Sequence, residues 1–78
     1  MPTVFIKNGY KFFFYSNEHR PIHVHVRMGG GEAVFNVEGE VVLRESVGLR
    51  TRELKDAEDL AAAEHRQIII DTWHEHIG

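Results

Sequence analysis

Six histidines fall within 78 residues, and three of them, His19, His23 and His25, sit within seven positions of each other. His23 and His25 are two apart in the alternating run Ile22-His23-Val24-His25-Val26-Arg27-Met28. In an extended chain such a pair leaves the same face, with Cα atoms roughly 7 Å apart. Three kinds of chemistry follow from that spacing. Two imidazole nitrogens can share a metal ion, with His19 or a carboxylate as a third ligand. One neutral imidazole and one imidazolium can act as base and acid, with Arg27 holding an anion beside them. The third reading is a polar outer face that hydrogen-bonds to neighbours or carries a docking surface. The catalytic candidates are therefore His23, His25 and Arg27, and the metal candidates His19, His23 and His25. No cofactor is implied.

These side chains need a strand to carry them, and the period-two alternation of residues 22–28 predicts one, with Ile22, Val24, Val26 and Met28 turned inward. Upstream, Thr3 to Lys7 is rich in β-branched and aromatic residues. Asn8-Gly9 then favours a two-residue type I′ turn. Tyr10 to Tyr15 reads as the return strand, and Ser16 to Pro21 as a polar loop. That hairpin is apolar on both faces, which leaves its core side undetermined and implies that the histidine face is itself partly covered, either by the chain's own segments or by another protein. After Gly29-Gly30-Gly31, Glu32 to Val37 predicts a further strand, and Val41 to Leu43 a short one beyond a turn at 38–40. If Met28 opposes Glu32 across the glycines, Phe35 falls opposite His25 and joins the histidine face. A slip of one residue would send Phe35 to the core instead.

From Thr51 the pattern becomes helical, with Thr51 as N-cap and Glu53 in the first turn. Leu54, Ala57, Ala61, Ile68, Ile69 and Thr72, widened by Trp73, form one stripe. No glycine or proline intervenes before Gly78. One helix from Arg52 to Ile77 would be roughly 39 Å long and lie across the sheet. His65 and His76 border the stripe and read as boundary residues, whereas His74 points away. Leu60 and Ile70 lie off it. The expected fold is α+β: an antiparallel meander of four to five strands packed in two layers on one long C-terminal helix. The expectation is one domain over residues 1–78, with a sheet part to residue 50 and a helical part beyond.

Composition limits the functions available. The net charge is −3, split as +1 over residues 1–50 and −4 over 51–78, so bulk electrostatics does not drive nucleic-acid binding. The absence of cysteine excludes disulfides, thiolate metal sites and catalytic thiols. Apolar runs such as Ile68-Ile69-Ile70 are too short for a membrane span, and the first residues lack a signal-peptide pattern. The expected location is cytoplasmic. Phosphate-binding glycine loops, H-E-x-x-H and G-x-S-x-G are all missing. So small a core would benefit from a partner or a homodimer.

The stretch NGYKFFFYSNEHRPIHVHV resembles a small bacterial family, the domain of unknown function 4160, and GEAVFNVEGEVVL and the tail GLRTRELKDAEDLAAAEHRQIIIDTWHEHIG agree with it. Where the family carries proline before the first histidine of HVHV, this chain has Ile22. The family's biochemical role is unestablished. The resemblance implies membership of small two-gene modules, suspected of toxin–antitoxin-like roles, and the signature falls here on Tyr15, Ser16, Asn17, Glu18, His23 and His25. Two main functions compete. One is a protein-interaction or regulatory module that docks a small partner protein through Tyr15, Asn17, Glu18, His23, His25 and Arg27. The other is a metal-independent ribonuclease, with His23 and His25 as acid and base, Arg27 and Lys11 on the transition state, and Tyr15 orienting RNA. A metal-binding domain is the third.

Overall fold

The computed structural model describes residues 2–62 and 65–77. Five strands form one antiparallel meander in chain order: β1 (Thr3–Lys7), β2 (Tyr10–Phe13), β3 (His23–Met28), β4 (Gly31–Asn36) and β5 (Val42–Val47). Two helices, α1 (Thr51–Ala61) and α2 (His65–His76), follow and cover one face of the sheet. The expected α+β, two-layer architecture is what the chain adopts. Asn8 and Gly9 both have positive φ, 53° and 83°, as a type I′ turn requires.

The helical part departs from expectation: it is two helices rather than one. Along a straight helix the pairs Ala57/Ala61 and Ile69/Trp73 would point about 120° apart, yet all four are buried. A break lets each pair face the sheet. A straight 39 Å rod would also overhang a molecule whose longest extent is 32 Å. The first helix ends at Ala62, whose backbone is extended (ψ −161°). Ile68, which would lie mid-stripe on a continuous helix, is consequently exposed, whereas Leu60 and Ile70 pack against the core. The N-cap is Arg50, one residue before Thr51, and the Glu53 carboxylate accepts from the Arg50 N–H at 2.8 Å. Arg66 of α2 donates to the carbonyls of Val37 and Glu38 at 2.9 and 2.8 Å, tying the second helix to the end of β4.

The turn between β3 and β4 is tighter than three glycines would make it. Met28 pairs with Gly31, so only Gly29 and Gly30 form the loop. Phe35 therefore lies opposite Val24 and Val34 opposite His25. This one-residue difference puts Phe35 in the core with Phe12, Phe14, Val24, Val26, Val37 and Trp73. The first hairpin resolves in the same way. Phe5 stacks on Phe12 at 4.3 Å on the helix side, while Phe13 turns to the other face. Val4 has no partner across β2, and the bulge lets Val4 and Phe5 both pack against the core.

Candidate functional site

The second face of the sheet is set by cross-strand register. Lys11 lies opposite Arg27, Phe13 opposite His25, Val34 opposite His25 from the other side, and Glu32 opposite Arg27. Directly opposed side chains in an antiparallel ladder share a face, so these residues gather around the two histidines. Phe13 is fully buried there, outside the main core. Its ring lies 5.5 Å from His25 and 5.4 Å from Tyr15, and the Arg27 guanidinium lies 5.0 Å above it. The chain thus covers its own histidine face.

Much of that cover comes from the connection between β2 and β3, which brings Glu18 back over the sheet. One carboxylate oxygen lies 3.1 Å from His23 Nε2 and the other 2.7 Å from His25 Nε2. The backbone N–H of Tyr15 also reaches the second oxygen, at 3.4 Å. The three side chains are only 7–12% exposed. His23 Nδ1 lies 2.7 Å from the Pro21 carbonyl. A carbonyl only accepts, so Nδ1 carries the proton and a neutral His23 presents its lone pair at Nε2. His25 is different. Its 2.7 Å approach to Glu18 meets the distance but not the alignment of a hydrogen bond, and both its ring nitrogens are buried without a hydrogen-bond partner. His25 Nδ1 lies 3.6 Å from Glu32. The Tyr15 ring sits edge-on to His25 at 4.5 Å, and Trp73 backs His23 at 5.2 Å.

Of the residues singled out from sequence, Glu18, His23 and His25 come together within 4.8 Å, ligand atom to ligand atom. Tyr15 joins them at the rim, its hydroxyl donating to Glu32 at 3.4 Å. Arg27 stands one step further along β3, paired with Glu32 at 3.4 Å. Asn17 is exposed, and His19 is exposed and lies outside the cluster. The third group beside the pair is thus the carboxylate of Glu18. Sequence reasoning missed Glu32, which touches Tyr15, His25 and Arg27 at once. Pairing Gly31 with Met28 would have placed it opposite Arg27. His74 and His76 are exposed, and His65 stacks on Phe5 at 4.8 Å in a boundary position.

Two hollows stand out among the described residues. The larger, about 590 Å³, lies away from His23 and His25, between the β1–β2 turn and α1, lined by Tyr10, Met28, Asp56, Asp59 and His65 among others. Burial raises the Tyr10 phenol above its ordinary range, and the charges of Asp56 and Glu53 add to it. The smaller, about 200 Å³, runs from His25 and Glu32 past Val34 to Glu45 and Val47. It joins the histidine face to β5. Every residue of β5 is exposed, and the strand pairs with β4 on one side only.

Over residues 9–74 the chain matches the family described as Domain of unknown function (DUF4160), and it belongs to that family. Neither a curated protein nor a solved structure matches it. Among the described residues, no helix is long and apolar enough to cross a membrane.

Proposed function

We propose that this DUF4160 chain is a non-enzymatic protein-interaction module, one half of a toxin–antitoxin-like two-gene pair, which docks its small partner along β5 and the hollow that joins it to the rim of the histidine face. The observation that carries this reading is the exposure of β5 over its whole length, Val42, Leu43 and Val47 included. An edge strand offers unpaired N–H and C=O groups to an added strand, and the hollow beside it can take alternate side chains. Glu32 and Glu45 line that hollow with Val34 and Val47, a chemistry suited to a basic side chain with an apolar stem. Arg44 has no partner across β4 because the register slips there. A bulge and charges at this point guard the edge against indiscriminate pairing, which favours a specific partner over a second copy of the chain.

The ribonuclease reading has less support. Both imidazoles face Glu18 and are nearly covered, so RNA would have to displace the carboxylate before either could move a proton.

Co-expression with the product of the neighbouring gene, followed by size exclusion, tests the proposal. We expect co-elution, weakened at least about tenfold by Val47→Glu or Leu43→Lys, which introduce charges at an exposed edge and leave the fold intact. A tight monomer that retains no partner at micromolar concentration would refute it, and a homodimer through the same edge would replace it. Growth inhibition that persists in His23→Ala and His25→Ala would dispose of the ribonuclease.

A further inference from the structure

We infer that Glu18, His23 and His25 form a three-ligand site for a borderline divalent transition ion of the zinc type, which pins the connection between β2 and β3 onto the sheet. The argument begins with His23. Its Nδ1–H is spent on the Pro21 carbonyl, which aims the Nε2 lone pair at a carboxylate that is itself only an acceptor. Two acceptors 3.1 Å apart in a nearly closed site need a positive centre between them. An imidazole oriented by Nδ1–H to a backbone carbonyl is also the usual outer-shell arrangement of a metal-binding histidine.

His25 discriminates between a proton and an ion as that centre. A proton shared with Glu18 would draw the ring N–H into line with the carboxylate oxygen. Instead the 2.7 Å contact is off that line, and both nitrogens lack a hydrogen-bond partner. Ligands of a common ion behave in this way: each lone pair points at the ion, and neighbouring ligand atoms approach one another obliquely. With ligand bonds of about 2.0–2.2 Å, tetrahedral ligand atoms lie roughly 3.3 Å apart. The contacts here are 3.1 and 2.7 Å, with all ligand atoms within 4.8 Å, so small side-chain shifts suffice. Two imidazoles and one carboxylate suit zinc and its neighbours; magnesium and calcium take oxygen ligands. Three protein ligands leave a fourth position for water or for a donor from another molecule. Phe13, Tyr15 and Trp73 wall the imidazoles and strengthen the electrostatics of the site.

The test uses the full chain, stripped with chelator and titrated with zinc by calorimetry and with cobalt(II) by visible absorption. The wild type is expected to bind one ion per chain and to give tetrahedral cobalt bands without thiolate charge transfer. Glu18→Gln and His25→Gln should each weaken binding by more than about a hundredfold. His74→Ala combined with His76→Ala removes exposed histidines of α2 and should leave affinity unchanged. Zinc-induced shifts of the His23 and His25 ring nitrogens in the wild type provide the second readout, independent of whether a variant folds. Absence of a one-to-one complex, wild-type affinity in Glu18→Gln, or loss of binding in the α2 double variant would each overturn the inference. The site stands apart from the docking proposal, which fails or survives on partner mixing alone.

Discussion

Three adjacent glycines give three different answers to the same substitution. At Gly31 a Cβ would stand 2.5 Å from the Gly48 carbonyl oxygen, 2.6 Å from Leu49 Cδ2 and 2.7 Å from the Gly48 carbonyl carbon. The leucine can rotate away but the backbone cannot, so β5 must back off β4 at its C-terminal end. Overpacking of this kind costs about 1–3 kcal/mol, and a backbone obstacle belongs at the upper end. Alanine also removes freedom from the unfolded chain, which returns about 0.4–1 kcal/mol. Gly31→Ala should therefore destabilise by about 2 kcal/mol, lowering Tm by roughly 8–16 °C in a domain of this size. Gly29 has open space around it but a φ of 57°. There the left-handed backbone costs about 1–2 kcal/mol, less the same entropic return, so Gly29→Ala should lose about 0.5–1 kcal/mol. Gly30 has neither obstacle, and Gly30→Ala should be neutral or slightly stabilising. Urea unfolding of the three variants, with amide exchange of β5, measures the series. A Gly31→Ala value within about 0.5 kcal/mol of Gly30→Ala would mean that Gly31 does not approach Gly48 as closely as the register requires.

Phe13→Ala should cost about 3–5 kcal/mol in urea although Phe13 lies outside the main core, because its ring is fully buried under Tyr15, His25 and Arg27; a loss below about 1 kcal/mol would mean that the second face is open. The Ile22 N–H holds the Glu38 carboxyl below its ordinary range, with Arg20 adding to the effect against a smaller opposing desolvation. A carboxyl lowered by folding contributes stability above its unfolded pKa, and that contribution disappears as pH falls through the folded value. Ile22→Pro removes the N–H, so a carboxyl NMR titration should find Glu38 nearer its ordinary range, whereas Ile22→Val should leave it lowered; an unmoved titration in the proline variant would assign the effect to Arg20 instead.

The strands were legible because their signals are local. Alternation over residues 22–28 is a sterically enforced period of two, and Val24 and Val26 are buried while Arg27 on the opposite face is exposed. Asn8-Gly9 carries its own turn geometry. The β3–β4 register was not legible, since a run of glycines permits loops of two or three residues with equal ease. A contact well along the backbone decides it: Gly31 must be the residue that meets Gly48 or Leu49 when β5 returns, which excludes a loop position for it. The helix break was hidden for a similar reason. Most residues from Arg52 to Ala62 favour helix and no glycine or proline interrupts them, so only the demand that Ala57/Ala61 and Ile69/Trp73 face one sheet reveals that a straight rod is the wrong solution.

The histidine pair could be read from its spacing, but its chemistry could not. A strand fixes where two imidazoles emerge; it says nothing about what comes to meet them. Glu18 arrives from a connection without periodicity, and His19 beside it, the residue type more readily expected as a ligand, stays exposed. The carboxylate can close over the pair because the backbone N–H of Tyr15 meets one of its oxygens and because Phe13, on the neighbouring strand, fills the space beneath. The chain therefore assembles its candidate site from one regular element and one irregular element, the second anchored by main-chain hydrogen bonding. That division explains why changes at Val24 or Val26 should disturb the fold first, whereas Glu18→Gln should alter what the two imidazoles can bind while the sheet that presents them persists.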